Sequence, residues 1–525
     1  MPPFPSPRIG FLPCSALRRL IAVLLLGCAP LASAAQATPG AAVPSATTPM
    51  TTPAADRLLP AAGLRADVDT LEQAYTRLHP GLYRYNTPRQ MAGHFAELRK
   101  TFDRDRSLAE AYLAFSRFAA KVRCGHTYAS FYNQSEPVAK ALFESPDRVP
   151  FQFRWLDRRM VITRNLSTDA SLVPGTEVLS IEGVPVARIL DRLMTVARAD
   201  GGNDAKRRAY LEVGDVDRYA AFDIYLPLFF PQVDGMHTLR VRSPQDRRAR
   251  RVDVPALSYA QRLASVRGEE DKNAPAFELR YTDTGVAVLD MPGWALYDSD
   301  WDWRGFLQRT FEELDRRGTP ALILDLRRNE GGLSVGDEIL GYLTDREVTL
   351  PPYRRLVRYR TTPTALRPYL KTWDPSFHDW GRDATETEDG FYRLLREGEH
   401  PEGDIIAPKT PRYRGKVYAL VGATNSSATF EFAMALRRTG LGTLVGQTTG
   451  GNRRGINGGA FFFLHLPNSD IELDLPLVGQ FPETPQPDAG LEPDLRVTPR
   501  IADIAAGRDA ELDAALADFA AHRRN

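Results

Sequence analysis

The chain has 525 residues, enough for two to four domains with buried cores. A hydrophobic share of 43% and a charged share of 25% are those of a globular protein, and a net charge of +1 gives no pull toward nucleic acid or an acidic membrane surface. Three cysteines, Cys14, Cys28 and Cys124, exclude a disulfide scaffold; no Cys/His cluster has zinc spacing, and no cofactor or metal is expected.

Residues 1–35 read as a secretory leader. Arg18 and Arg19 precede the apolar run "LIAVLLLGCAPLA", and the small-residue stretch "ASAA" ends at Ala35. The run is too short to span a bilayer. A second reading stays open: "LLGC" resembles a bacterial lipobox, which would leave a lipidated Cys28 at the mature N-terminus. Either way the chain leaves the cytoplasm. Cys124 is then alone, and a large exported chain without disulfides fits a bacterial periplasm, as a soluble protein or an anchored lipoprotein. Residues 36–56, rich in Ala, Pro and Thr, read as a disordered tether.

Residues 57–135 read as a helical N-terminal domain. In "LRADVDTLEQAYTRL" the positions Val68, Leu71, Tyr75 and Leu78 form one stripe. Two further amphipathic helices follow, the last starting at the cap-like Ser107, and the domain ends at "RCGHTYASF". Residues 140–265 turn β-rich. The phrase "GTEVLSIEGVPV" predicts a strand and a tight turn before the helix "ARILDRLM". It resembles a PDZ module, which takes an extended chain end onto a sheet edge; a generic β-hairpin is the plainer reading. The stretch from Ala197 to Ser265 carries little pattern. Residues 270–345 and 412–505 alternate strand and helix as two parts of one crossover sheet, interrupted by an aperiodic insertion at 346–411. A C-terminal helix at 506–525 closes the chain.

Three stretches can carry chemistry. In "VYALVGATNSSATFEFAMALRR" a strand runs through a polar turn into a helix, with Ser426 and Ser427 at the junction. A hydroxyl there is either a helix cap or a nucleophile beside backbone N–H groups able to hold an oxyanion. In "LILDLRRNEGGLSVGDE" a buried strand ends at Gly331 and Gly332, which form either a tight loop or a close backbone approach to a ligand. In "VRCGHTYASF", His126 lies in a loop between domains, where a histidine is either structural or at a cleft.

Taken in chain order, these stretches resemble the tail-specific (C-terminal-processing) serine peptidases, together with the tricorn-core and retinoid-binding-protein-like branch. "DLRRNEGG" is the strongest match; "TNSSATFEFAMALRRTG", "LVGQTTGG" and "GLEPDLRVTP" follow in family order. The resemblance implies a mixed α/β fold: a helical N-terminal domain, a PDZ-like β-rich domain and a ClpP/crotonase-like crossover core with an insertion. It places Ser427 as nucleophile and leaves Ser426 as the helix cap. Processing peptidases take a later lysine as base, but Lys416 is the last lysine here; the "CGHT" phrase therefore implies His126 as general base. Gly331 or Gly332 and an N–H of the serine helix would hold the oxyanion. Glu483, Asp488 and Glu492 stay open as the carboxylate that orients His126, with Glu483 taken first. Where members carry Glu near the start of the serine helix, this chain has Phe430 and then Glu431. The implied partner is a polypeptide or peptide substrate. Two other readings are a peptide- or ligand-binding protein on the same core and a structural envelope protein. A cysteine hydrolase built on Cys124 is disfavoured, because Cys124 and His126 are too close in sequence to meet productively.

Overall fold

The computed structural model describes residues 55–215, 218–231, 235–246, 248–266, 274–350, 353–396 and 403–523. The expected leader, Cys28 and nearly all of the tether lie outside the described residues. No helix among them is long and apolar enough to cross a membrane.

The N-terminal helices span Ala61–Leu78, Pro88–Thr101 and Leu108–Val122. The second and third start in capping boxes, Thr87 with Gln90 and Ser107 with Glu110, which satisfy first-turn N–H groups reciprocally. The predicted stripe Val68, Leu71, Tyr75 and Leu78 is buried. It does not close a separate helical domain. Tyr75 donates to the carbonyl of Asp474, and the buried Asp67 carboxylate accepts from the N–H groups of Asn468 and Ser469. These helices therefore pack on the hairpin Asn457–Leu466/Ile471–Pro482, and one apolar core runs from them through that hairpin into the β-rich region.

The β-rich region is a sheet in the order Phe151–Leu156, Arg159–Asn165, Glu177–Ile181, Met236–Arg242, Ala249–Pro255. The predicted tight turn is present: Glu182 and Gly183 both have positive φ (49° and 73°), and Ile181 pairs with Val184 across them. Two successive left-handed residues match the right-handed twist of a two-residue hairpin. The helix Val186–Leu193 follows as expected.

The crossover core is a six-stranded sheet ordered Leu495–Arg496, Thr443–Gly446, Lys416–Val421, Ala321–Asp325, Ala287–Asp290, Glu278–Tyr281, with only the last strand antiparallel. Alternating residues feed two layers. Leu322 and Leu324 join the helices Trp303–Arg316, Val335–Leu343 and Ser427–Thr439 on one face; Ala321 and Ile323 meet the C-terminal helix Ala510–His522 on the other. A parallel sheet covered on both faces reads in sequence as unbroken apolar runs, as "ALIL" and "YALV" do.

The insertion is built rather than loose. Its strands Tyr353–Val357, Leu370–Lys371, Ala384–Glu386 and Tyr392–Leu394 form a third sheet with the hairpin 457–482. That hairpin was expected inside the second core part. It leaves the crossover sheet because its inward residues, from Phe462 to Leu477, have the apolar face of the N-terminal helices to bury against.

Candidate active site

Two neighbouring parallel strands, Ala321–Asp325 and Lys416–Val421, end side by side, and the loops that leave them are sewn together by two buried asparagines. Asn425 accepts from Gly422 N–H (2.7 Å) and donates to the carbonyls of Leu326 (2.5 Å) and Asn329 (2.9 Å). Asn329 donates to the Met291 carbonyl (3.0 Å), while its side-chain oxygen accepts from Gly331 N–H (3.0 Å) and Thr429 Oγ1 (2.7 Å). These bonds explain the Asn in "DLRRNEGG": it fixes the glycine loop against the serine helix.

Ser427 is the first residue of the helix Ser427–Thr439 and has φ = +50°. A left-handed serine at a strand–turn–helix junction is strained, by roughly 1–2 kcal/mol, and the strain turns the side chain out of the helical path. Ser426 occupies the N-cap position but does not cap, contrary to expectation; its hydroxyl donates to the Glu330 carbonyl (3.0 Å). Gly331 packs directly on this junction. A Cβ there would lie 2.9 Å from both Ser427 Cβ and the Ser426 carbonyl oxygen. Gly331 N–H is committed to Asn329, whereas no bond among the described residues takes up Gly332 N–H.

His126 follows the helix Leu108–Val122, after Arg123 ends that helix in a left-handed cap. Gly125 N–H donates to buried Asp200 (2.9 Å), and Thr127 meets His79 Nε2 (2.8 Å), so the loop is held on both sides of the imidazole. Burial is the main cause that lowers the His126 pKa below its ordinary value. Asp200 and Glu330 oppose it, while Arg198 and Lys206 add to it. The ring lies 5.9 Å from that of Phe461, which with Phe463 flanks the half-exposed Trp373.

His126 Nδ1 is buried without a hydrogen-bond partner, and no hydrogen bond joins His126 to Ser427 among the described residues. None of the three expected carboxylates reaches the ring as a hydrogen-bond acceptor. Glu483 is exposed just past the strand Ile471–Pro482. Asp488 accepts from Gly202 N–H and Asn452, and Glu492 pairs with Thr448 and Arg496. The charged groups that do surround the site are Arg198, Asp200, Lys206 and Glu330. Three of them come from the patternless stretch after Ala197, and isolated charges in such a stretch give no sequence signal. Glu330 stood in plain view inside "DLRRNEGG". Cys124 is buried beneath Asn457, and burial pushes its thiol up to about 11, so it is no thiolate nucleophile at neutral pH.

Phe430 is buried in the apolar layer, with Gly451 pressed on its ring. The acid that follows it, Glu431, has a buried, unpartnered Oε1. Desolvation, reinforced by Asp337, raises its carboxyl to about 7, and desolvation raises Asp337 to about 6. A carboxyl raised by folding stabilises the fold below its unfolded pKa and loses that contribution as pH rises through the folded value. Glu431→Gln is therefore expected to raise the melting temperature at pH 8 and to leave it nearly unchanged at pH 4. Equal effects at both pH values would contradict the buried-acid account.

Residues 285–459 match the model of peptidase family S41. No curated protein matches the chain in sequence. Among solved structures the chain is similar to mature CPAF complexed with lactacystin, at 16% identity and a TM-score of 0.57 over 85% of this chain and 95% of that one. Mature CPAF alone matches at 16% identity and 0.55, over 85% and 94%. The photosystem II D1 C-terminal processing protease matches at 13% identity and 0.38, over 85% and 98%. The mixed α/β fold is thus similar to that of CPAF, and within it residues 285–459 carry the match to peptidase family S41.

Proposed function

We propose that the protein cleaves peptide bonds by acyl transfer, with Ser427 as nucleophile and His126 as general base. The left-handed Ser427 at the head of its helix, with Gly331 against its Cβ, carries this reading. The hydroxyl attacks a peptide carbonyl while His126 takes its proton and later returns it to the leaving amine. Gly332 N–H and Ala428 N–H, both uncommitted among the described residues, hold the oxyanion in place of the committed Gly331 N–H. The imidazole closes on the hydroxyl in the substrate complex, as catalytic hydrogen bonds often tighten only there. The Phe461–Trp373 strip offers apolar contact to a substrate side chain beside the base.

The finer assignments belong to the same proposal. The chain is exported by its leader, with Cys28 as a lipid anchor if the lipobox is used. The helical, PDZ-like and core segments act as units of one tail-specific peptidase, the PDZ-like sheet receiving the substrate's chain end.

A fluorophosphonate probe, followed by peptide mass mapping, tests the nucleophile: the adduct is expected on Ser427, and labelling elsewhere, or none, overturns it. Lactacystin, which is bound in a CPAF structure, serves as a second probe of the same serine. A base must be neutral to act, and His126 is lowered. The acid limb of kcat/KM is therefore expected below the ordinary histidine value, with activity persisting into mildly acidic solution. A limb at or above that value would contradict the assignment.

A further inference from the structure

Resting on the roles given to His126 and Ser427, we propose that Glu330 is a positioning residue whose carboxylate, through Arg198 and Lys206, fixes the separation between the His126 loop and the Ser427 turn. The two loops lie some three hundred residues apart in sequence and make no hydrogen bond to each other through these side chains. Each instead offers a carbonyl to a cation. Arg198 Nη1 donates to the carbonyl of Gly125, next to His126, at 2.6 Å. Lys206 Nζ donates to the carbonyl of Thr424, three residues before Ser427, at 2.8 Å. Both cations also reach one carboxylate: Lys206 Nζ meets Glu330 Oε1 at 2.6 Å, and Arg198 Nη2 meets Oε2 at 3.1 Å. Glu330 is itself tied to the serine turn, because its carbonyl accepts from Ser426.

The bridge is stiff for physical reasons. The Lys206 side chain is 4% exposed and that of Arg198 13%, so both cations are held largely away from water, while the Glu330 side chain they share is 40% exposed. Arg198 also lies over the rings of Tyr128 (4.4 Å) and Tyr210 (4.8 Å), which fixes the guanidinium plane. Lys206 is further held where its stem passes Gly450. Without the carboxylate, two cations would face each other beside the imidazole, and the repulsion would part the two loops. A misplacement of about 1 Å between reacting groups is enough to cost about a hundredfold in rate.

Among the described residues the largest charge effects on His126 come from Asp200 and Glu330, which favour its protonated form, and from Arg198 and Lys206, which oppose it. The bridge therefore has a signature that packing alone lacks. In Glu330→Gln the His126 titration is expected to move down, and in Lys206→Met up. The experiment is a ring-signal NMR titration of the full chain with labelled histidine in a Ser427→Ala background, with His126→Asn identifying the signal. Peptide cleavage by the same two variants is measured with Ser427 intact. Opposite moves, together with a fall in kcat of about 10- to 100-fold in Glu330→Gln at a KM within about threefold, are the expected result. Unmoved or same-direction titrations, or an unchanged kcat, overturn the proposal. If Glu330→Gln does not fold, Lys206→Met alone decides by the direction of its shift. Opposite shifts in a chain that cleaves no peptide would leave the bridge standing and remove the peptidase assignment, so the two failures are distinguishable.

Discussion

Ser427→Ala is expected to lower peptide cleavage by about 10⁴-fold or more while leaving the fold almost untouched. No hydrogen bond among the described residues uses the Ser427 hydroxyl, so its removal costs the native state little. The backbone makes a second, opposite prediction at the same position. Ser427 sits at φ = +50°, where an L-residue is strained and glycine is not. Ser427→Gly should therefore be as inactive as the alanine variant yet more stable than wild type, by about 1 kcal/mol. Denaturant unfolding beside a casein or peptide assay reads both. Residual activity equal to wild type in Ser427→Ala would remove the serine from the chemistry. A destabilised Ser427→Gly would remove the strain from the account.

Gly332→Ala should cost stability on a different scale, above about 3 kcal/mol. A Cβ at Gly332 would stand 2.1 Å from both the carbonyl carbon and oxygen of Trp294 and 2.4 Å from Ala295 N. Those atoms are backbone, and Trp294 is fully buried against Phe432 on the serine helix, so nothing can swing aside. The left-handed φ of 136° adds its own penalty. Gly331→Ala is milder for folding, since its nearest contacts are 2.9 Å, but these are Ser426 O and Ser427 Cβ themselves. The first variant is expected to be recovered poorly folded, and the second folded with Ser427 displaced and activity reduced. Melting curves and cleavage rates of both, side by side, check this; wild-type stability in Gly332→Ala would show that the loop yields where the packing says it cannot.

What could be read before the structure was mostly local. The tight turn at Glu182 and Gly183, the cap at Ser107 and the paired glycines after the Ala321–Asp325 strand each announce a backbone shape within a few residues. The strand–turn–serine–helix junction was equally legible, but the detail inside it was not. Ser426 looked like a cap because serines usually cap; a left-handed neighbour and a nearby carbonyl took its hydroxyl instead. The carboxylate for His126 was sought downstream, in "PETPQPDAGLEPD", whereas Asp200 and Glu330 are the ones whose charge reaches the ring. Pairing partners far apart in sequence leave no periodic trace. The same holds for the hairpin 457–482, whose alternating pattern fits either sheet and which was drawn to the larger apolar face.

That shared apolar face has a consequence for how the molecule can be divided. The stretch that matches the family, residues 285–459, contains the serine, both glycines and the two knitting asparagines. It contains neither the histidine nor the two cations, and it ends at the third residue of a ten-residue strand, Asn457–Leu466. Cut there, the hairpin would lose its second strand and the N-terminal helices their floor. The family-matching stretch is thus not a detachable unit in this chain: on the proposed roles, residues 285–459 alone would carry a nucleophile without its base.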